Sequence, residues 1–353
     1  MNGVIIIDKP AEWTSHDVVN RMRRILGQRS IGHLGTLDPL ATGVLPLVTG
    51  GLTRLAQFYT SSEKTYEGVI RFGFATNTYD ADGEPVVPTT ERVGTDAFVR
   101  PSPTTDLNLE TLQRLAAKFQ GLIEQVPPPF SAKKIHGVPA YKLARKQQEV
   151  ILKPVQVEIK EFIILALDND RATFRARVAS GTYMRSVAHD LGQKLGCGAH
   201  LESLRRTSVA EFDITQAHTL EEVEQQMQRP TTSCHSERLH REEPVVVTVR
   251  ESEVLESIES LFIHPRQLLP QFPSVTADEP TAARIRNGRP INLPELSRAR
   301  QVKVFAGQRE LLAIATRVAG TLFHPKIVFV SESRALARNK PSMEALDSEG
   351  WNP

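Results

Sequence analysis

Between Arg171 and Gly196 the hydrophobic period of the chain changes once, and abruptly. "RATFRARVASG" sets Arg171, Thr173, Arg175 and Arg177 against Ala172, Phe174, Ala176 and Val178. A period of two belongs to a strand with one packed face. After Ser180–Gly181 the period turns helical through "YMRSVAHDLGQKLG". The rest of the chain must accommodate this strand-into-helix unit. Val4–Ile7 reads as a short buried strand. "TSHDVVNRMRRIL" reads as a helix with Thr14 or Ser15 as N-cap and Val18, Val19, Met22 and Ile25 on one face. "TYEGVIRFGFAT" alternates Tyr66, Gly68, Ile70, Phe72 and Phe74 with Glu67, Val69 and Arg71. "NLETLQRLAAKFQG" is an amphipathic helix that Gly121 is expected to close. Strands and helices mix without a βαβ rhythm, so the expected class is α+β and not a doubly wound sheet.

The chain has 353 residues, 40% of them hydrophobic and 24% charged, enough for a sizeable core and more than one domain. Val86 to Leu107 is rich in Pro and Thr and reads as a loop. Gln225 to Pro244 is polar and aperiodic, and reads as a flexible insertion. Cys234, His235 and His240 lie in it with poor metal spacing, so no metal site is expected. From Pro273 to Ser331 a helix-like "TADEPTAARIRNG" precedes "QVKVFAG", "LLAIATRV" and "KIVFV", a small helix-plus-strands module. The expected division is a catalytic domain over 1–225, a linker over 226–272, the module over 273–332 and a disordered tail over 333–353.

A net charge of +2 conceals local asymmetry. Between Ser131 and Lys153 stand Lys133, Lys134, Lys142, Arg145, Lys146 and Lys153 against one acid, Glu149. Arg21, Arg23, Arg24 and Arg29 form a second cluster. Such segments suit a polyanion held along a limited surface, although solvated faces would read alike. Cys197 and Cys234 fit no metal or redox spacing and point to a reducing compartment. "MNGVIIIDKP" reaches Asp8 too early for a signal peptide, and no apolar run approaches the ~20 residues of a membrane span. A soluble, cytoplasmic monomer is expected.

Within "HLGTLDPLATGVL" one carboxylate, Asp38, sits among glycines, threonines and leucines. The following proline biases it to an extended backbone. Gly35 and Gly43 permit tight turns on either side. The result is a loop that presents a single acid.

That string resembles the catalytic motif of the pseudouridine synthases, specifically the bacterial tRNA pseudouridine-55 synthase (TruB-type) family. "KPAEWTSHDVVNRMRRIL", "KTYEGVIRFGFATNTYDADGE", "PPPFSAKKIHGVPAYKLAR", "SGTYMRSVAHDLGQKLGCGAHL" and "LRRTSVAEF" follow in the family's order. The resemblance implies a pseudouridine synthase fold with a mixed, mainly antiparallel central sheet. It also implies that the C-terminal module is a PUA-like small β-barrel that binds RNA. Two residues depart from the pattern: Glu12 and Ala210 stand where the family usually has glycine.

Enzymes of this kind, the resemblance implies, detach uracil from ribose, rotate it and rejoin it through C5. Breaking a glycosidic bond develops positive charge on the sugar, which one carboxylate can stabilise or trap. A second acid that activates water would lose the base, so a single acid in a dry pocket suits an isomerase. No cofactor is needed. By resemblance Asp38 is the catalytic carboxylate and Arg185 its partner. Tyr66 stacks on the base and is a candidate proton acceptor; Tyr183 and Leu204 line the pocket, and His33 contacts the flipped nucleotides. Without it, Arg185 would read as a helix surface residue, His33 as a turn residue, and Tyr66 and Leu204 as core. The target base must leave its stack. The basic stretch, through Lys133, Lys134 and Lys146, would clamp the phosphates of a tRNA T stem-loop. Two competitors are a non-catalytic tRNA-binding or folding protein on the same scaffold and a hydrolase with an aspartyl nucleophile.

Overall fold

The computed structural model describes residues 1–86, 107–131, 133–135, 137–146, 148, 150–228, 232–233, 247–248 and 258–329. Most of the Val86–Leu107 loop, most of the Gln225–Pro244 insertion with Cys234, His235 and His240, and the Ala335–Pro353 tail lie outside them.

A ten-stranded sheet carries the first domain. Along it run Phe262–Ile263, Gly3–Lys9, Thr42–Thr49, Ala199–Val209, Lys64–Phe72, Arg171–Val178, Val155–Asp168 and Gly121–Gln125. Ile31–His33 and Phe212–Asp213 attach at its sides. The pairing of Thr42–Thr49 with Ala199–Val209 is parallel and the others are antiparallel, which gives the mixed sheet expected of an α+β fold.

The alternation in "RATFRARV" holds throughout: Ala172, Phe174, Ala176 and Val178 are buried and the intervening residues exposed. Val155–Asp168 is harder to read from its sequence, because bulges near Ile159 and Ile164 break its period. Helices Ser15–Ile25, Leu109–Ala117 and Met184–Leu195 pack on the sheet through Val18, Val19, Met22, Leu112, Ala116, Val187, Ala188 and Leu191. Thr14 is the N-cap of the first and forms a capping box with Asp17.

One expectation needs correction. Gly121 does not close the Leu109–Ala117 helix; Lys118 does, in a right-handed conformation. Gly121, at φ +93°, opens the edge strand Gly121–Gln125. Helix Leu220–Gln228 packs Met227 on the core, and Phe262–Ile263 adds an edge strand beside Gly3–Lys9.

The C-terminal module is a five-stranded sheet in the order Ser274–Ala277, Gln301–Ala306, Glu310–Ala319, Leu322–Val328, Ile291–Asn292, with helix Glu279–Arg286 against it. It is seated firmly on the first domain. Val4, Ile6, Val44 and Val48 share one apolar cluster with Phe305, Leu311, Ile314 and Ile327. Beside that cluster Glu211 accepts hydrogen bonds from the Tyr59 hydroxyl at 2.6 Å and from the Leu269 amide at 2.8 Å. Burial and the Glu211 charge push the Tyr59 phenol far above its ordinary pKa, so it serves as a donor.

Candidate active site

The loop that carries Asp38 has all its carbonyls from Gly35 to Pro39 engaged. Arg206, fully buried, donates to Gly35 O at 3.0 Å, Thr36 O at 3.2 Å and Val44 O at 2.8 Å. Ser15 Oγ accepts from Leu37 N at 2.8 Å and donates to Leu37 O at 3.1 Å. Asp38 O accepts from Ala41 N at 3.1 Å. Pro39 O accepts from Glu12 N at 3.0 Å and from Lys9 Nζ at 3.1 Å. Lys9 is itself buried and also donates to Pro10 O and Trp13 O. A loop whose polar backbone groups are bonded from four directions has little freedom, so the Asp38 side chain is aimed by the scaffold.

Gly43 lets that scaffold close. At φ +98°, an added Cβ would lie 2.2 Å from Arg206 O. Glu12 and Ala210, which stand in place of glycines, do adopt left-handed backbone, at φ +67° and +51°. Each therefore carries strain of roughly 1–2 kcal/mol.

Asp38 meets Arg185 across the loop. Arg185 Nη2 lies 2.8 Å from Asp38 Oδ2; the guanidinium side chain is 7% exposed and the carboxylate 43%. The acid therefore stands at a cavity mouth and is wetter than the sequence implied. Arg185 sits in the first turn of helix Met184–Leu195, which Gln125 holds by bonding Tyr183 N at 2.8 Å and Tyr183 O at 3.1 Å. The guanidinium also donates to Thr78 O and Phe130 O, at 3.2 and 3.1 Å.

A second acid belongs to this group, which the sequence did not announce. Asp80 Oδ2 lies 3.3 Å from Arg185 Nη1. Asp80 is 5% exposed, and burial pushes its carboxyl upward against the opposing pull of Thr78 and Arg185. It sits behind the guanidinium and not on the cavity wall, so it is placed to counter Arg185 and not to activate water. Asp80 lies in "TYDADG", which reads as an acidic turn.

The cavity has a volume of about 430 Å³, and its lining brings together Asp38, Arg185, Tyr66, Tyr183, Leu204 and His33. Tyr66 and Leu204 are both 9% exposed, on neighbouring antiparallel strands that present them to the same space. Burial, and secondarily Asp38, raises the Tyr183 phenol, which favours its neutral form. Burial and the Arg206 charge lower the His33 imidazole, which favours the neutral ring. The other residues that sequence reading missed are Lys9, Lys64 and Arg206. Their signal was hidden because a lysine or arginine on a strand normally points to water.

Lys133, Lys134 and Lys146 lie apart from this cavity lining. Lys134–Ile135 and Val138–Pro139 form a hairpin with Gly137 at φ +83° in its turn, followed by the short helix Ala140–Ala144. The three lysines are exposed, and among the described residues none has a carboxylate within 4.0 Å. No group of three or more metal-ligating side chains occurs among the described residues, and no helix there is long and apolar enough to cross a membrane.

A fixed carboxylate, an arginine and two tyrosines thus line one cavity on this mixed sheet. Residues 23–184 match the model of the TruB family pseudouridylate synthase N-terminal domain, and 185–246 that of the tRNA pseudouridylate synthase B C-terminal domain. The tRNA pseudouridine synthase B of Solibacter usitatus is 46% identical over 331 residues, 93% of this chain and 100% of that protein. That of Bacillus cytotoxicus is 37% identical over 295 residues, 82% of this chain and 83% of its own. A chain in the crystal structure of a Cbf5-Nop10-Gar1 complex shares the fold, with a TM-score of 0.62 at 22% identity over 94% of this chain and 86% of that one. The chain belongs to the TruB family of pseudouridine synthases.

Proposed function

We propose that the chain isomerises uridine to pseudouridine at position 55, in the T-loop of tRNA, with Asp38 as its catalytic carboxylate. The observation that carries this is the 2.8 Å pairing of Asp38 with a buried Arg185 at the mouth of the cavity lined by Tyr66, Tyr183 and Leu204. A flipped uridine entering there places its ribose beside the carboxylate and its base between aromatic and apolar walls. Asp38 stabilises or traps the sugar as the N-glycosidic bond breaks. Arg185 supplies the countercharge, and its bonds to Thr78, Phe130 and Asp80 fix its position through the reaction. The detached uracil turns and rejoins through C5, and Tyr66 is placed as the acceptor of the C5 proton. Asp38 is exposed, so in this reading water is excluded by the RNA itself, which covers the mouth when seated.

The lysines of the hairpin region, Lys133, Lys134 and Lys146, serve the stem-loop backbone. The C-terminal sheet is a PUA-like module that extends the RNA surface. Its rigid seating through Phe305 and Ile314 supports a fixed spacing between the two. The protein acts as a cytoplasmic monomer without a cofactor. The test is to incubate purified protein with unmodified tRNA transcript and map pseudouridine. Formation at position 55 is expected; an unmodified T-loop with modification elsewhere would overturn the site assignment.

A further inference from the structure

Lys64 begins the strand Lys64–Phe72, an interior strand of the sheet, and pairs in register with Val178 on one side and Val209 on the other. Its side chain is on the same face as Tyr66, two residues on, and lines the same cavity. It is 9% exposed. The ammonium donates to Ser62 O at 2.6 Å, and among the described residues no carboxylate lies within 4.0 Å of it. Beside it is a second buried cation. Arg206 Nη1 and Lys64 Cε both lie against Gly35, 3.6 and 3.9 Å from where a Cβ would stand. Arg206 is likewise bonded to carbonyls and to no acid among the described residues.

Two cations thus line one cavity with no carboxylate within 4.0 Å of either among the described residues. Burial first, then the Arg206 charge, lowers the Lys64 ammonium to about 8. An uncompensated buried charge is costly to fold and is retained where an anion completes the site. A uridine within an RNA chain brings such an anion, since a phosphodiester flanks its ribose on each side. When the nucleotide turns into the Asp38 cavity, one of these must follow it toward the wall. The Asp38 carboxylate repels that phosphate, so a cation on the Gly35 side of the loop is needed to seat it.

We propose that Lys64, backed by Arg206, binds a phosphodiester adjoining the uridine that enters the Asp38 cavity. This rests on the reading of that cavity as the uridine site. Lys64 is then a binding residue of the pocket, distinct from Lys133, Lys134 and Lys146, which meet the RNA outside it. Its charge draws the flipped nucleotide in, while the carbonyl-bonded Arg206 keeps the loop in place.

The experiment uses the full chain and a T stem-loop RNA made three ways: with native linkages, and with a neutral methylphosphonate 5′ or 3′ of the target uridine. For wild type, one of the two neutral linkages should weaken binding about tenfold, the loss of one charge-assisted contact. Lys64→Met should lose the same factor on native RNA and nothing further on the RNA with that linkage. Lys64→Arg, which keeps the charge, should recover part of the affinity. Losses that multiply, or wild-type binding indifferent to both linkages, would overturn the proposal. The second outcome does so even if Lys64→Met fails to fold. Pseudouridine formation by wild type on native RNA is read in parallel. Its absence would count against the uridine-site reading, whereas its presence with indifferent linkages would count against Lys64 alone.

Discussion

The loop around Asp38 and the hairpin region around Lys133, the two places where the proposed function puts RNA, are built in opposite ways. From Gly35 to Pro39 the backbone is bonded by two buried cations, a buried serine and neighbouring amides. The hairpin consists of two-residue strands and a five-residue helix, and its lysines are exposed and unpaired with described acids. The contrast separates two tasks. Bond cleavage needs reacting atoms held within fractions of an ångström. Gripping a phosphate backbone needs charge in reach, and flexible lysine stems supply it without fixed geometry.

The comparison breaks most visibly at Arg185. Arg185→Lys keeps a positive charge and loses the planar fork that spans Asp38 and Asp80. Single-turnover pseudouridine formation should fall by about a hundredfold or more, with RNA binding little changed. Near-normal turnover would show that geometry on this side does not matter. Neutralising Lys133, Lys134 and Lys146 together should do the reverse. Affinity should drop, and the slope of log affinity against log salt should flatten by up to about 0.9 for each lost phosphate contact. The rate at saturating RNA should hold. An unchanged slope with a collapsed rate would place the hairpin inside the catalytic apparatus.

What was legible in the sequence follows the same division. The exposed basic stretch showed in the lysine density between Ser131 and Lys153. The strand-to-helix switch around Gly181 placed Tyr183 and Arg185, and the Asp-Pro turn placed Asp38. Their convergence on one cavity came from the resemblance and not from periodicity, since Tyr66 and Leu204 alone would pass for core. Hidden were the groups whose meaning depends on distant partners. Asp80 is a turn residue until Arg185, more than a hundred positions later, reaches it. Lys9 and Arg206 look like surface charges until carbonyls from the Asp38 loop surround them.

Lys9 sharpens the comparison through pH. Burial lowers its ammonium from 10.5 to about 8, outweighing the opposing effect of Asp38. Between about 8 and 10.5 the unfolded chain keeps a proton that the folded one has released, so this group's contribution to stability rises with pH there and is lost as pH falls through 8. Denaturant midpoints at pH 7.5 and 9.5 should therefore show a smaller rise in Lys9→Met than in wild type. An equal rise would mean Lys9 stays charged in the fold. The smallest effect belongs to Glu12. Replacing it with glycine relieves its left-handed backbone at the cost of chain entropy, for a net gain of about 0.5–1 kcal/mol in unfolding free energy. A loss would show that the Glu12 side chain contributes more than its backbone strain costs.

The central claim is that one positioned carboxylate performs the chemistry and the rest of the site serves it. Asp38→Asn preserves shape and removes charge. Mixed in excess with unmodified tRNA transcript under single-turnover conditions, it should form no detectable pseudouridine while binding RNA within roughly tenfold of wild type, about 1.4 kcal/mol. Turnover approaching the wild-type rate would contradict the account.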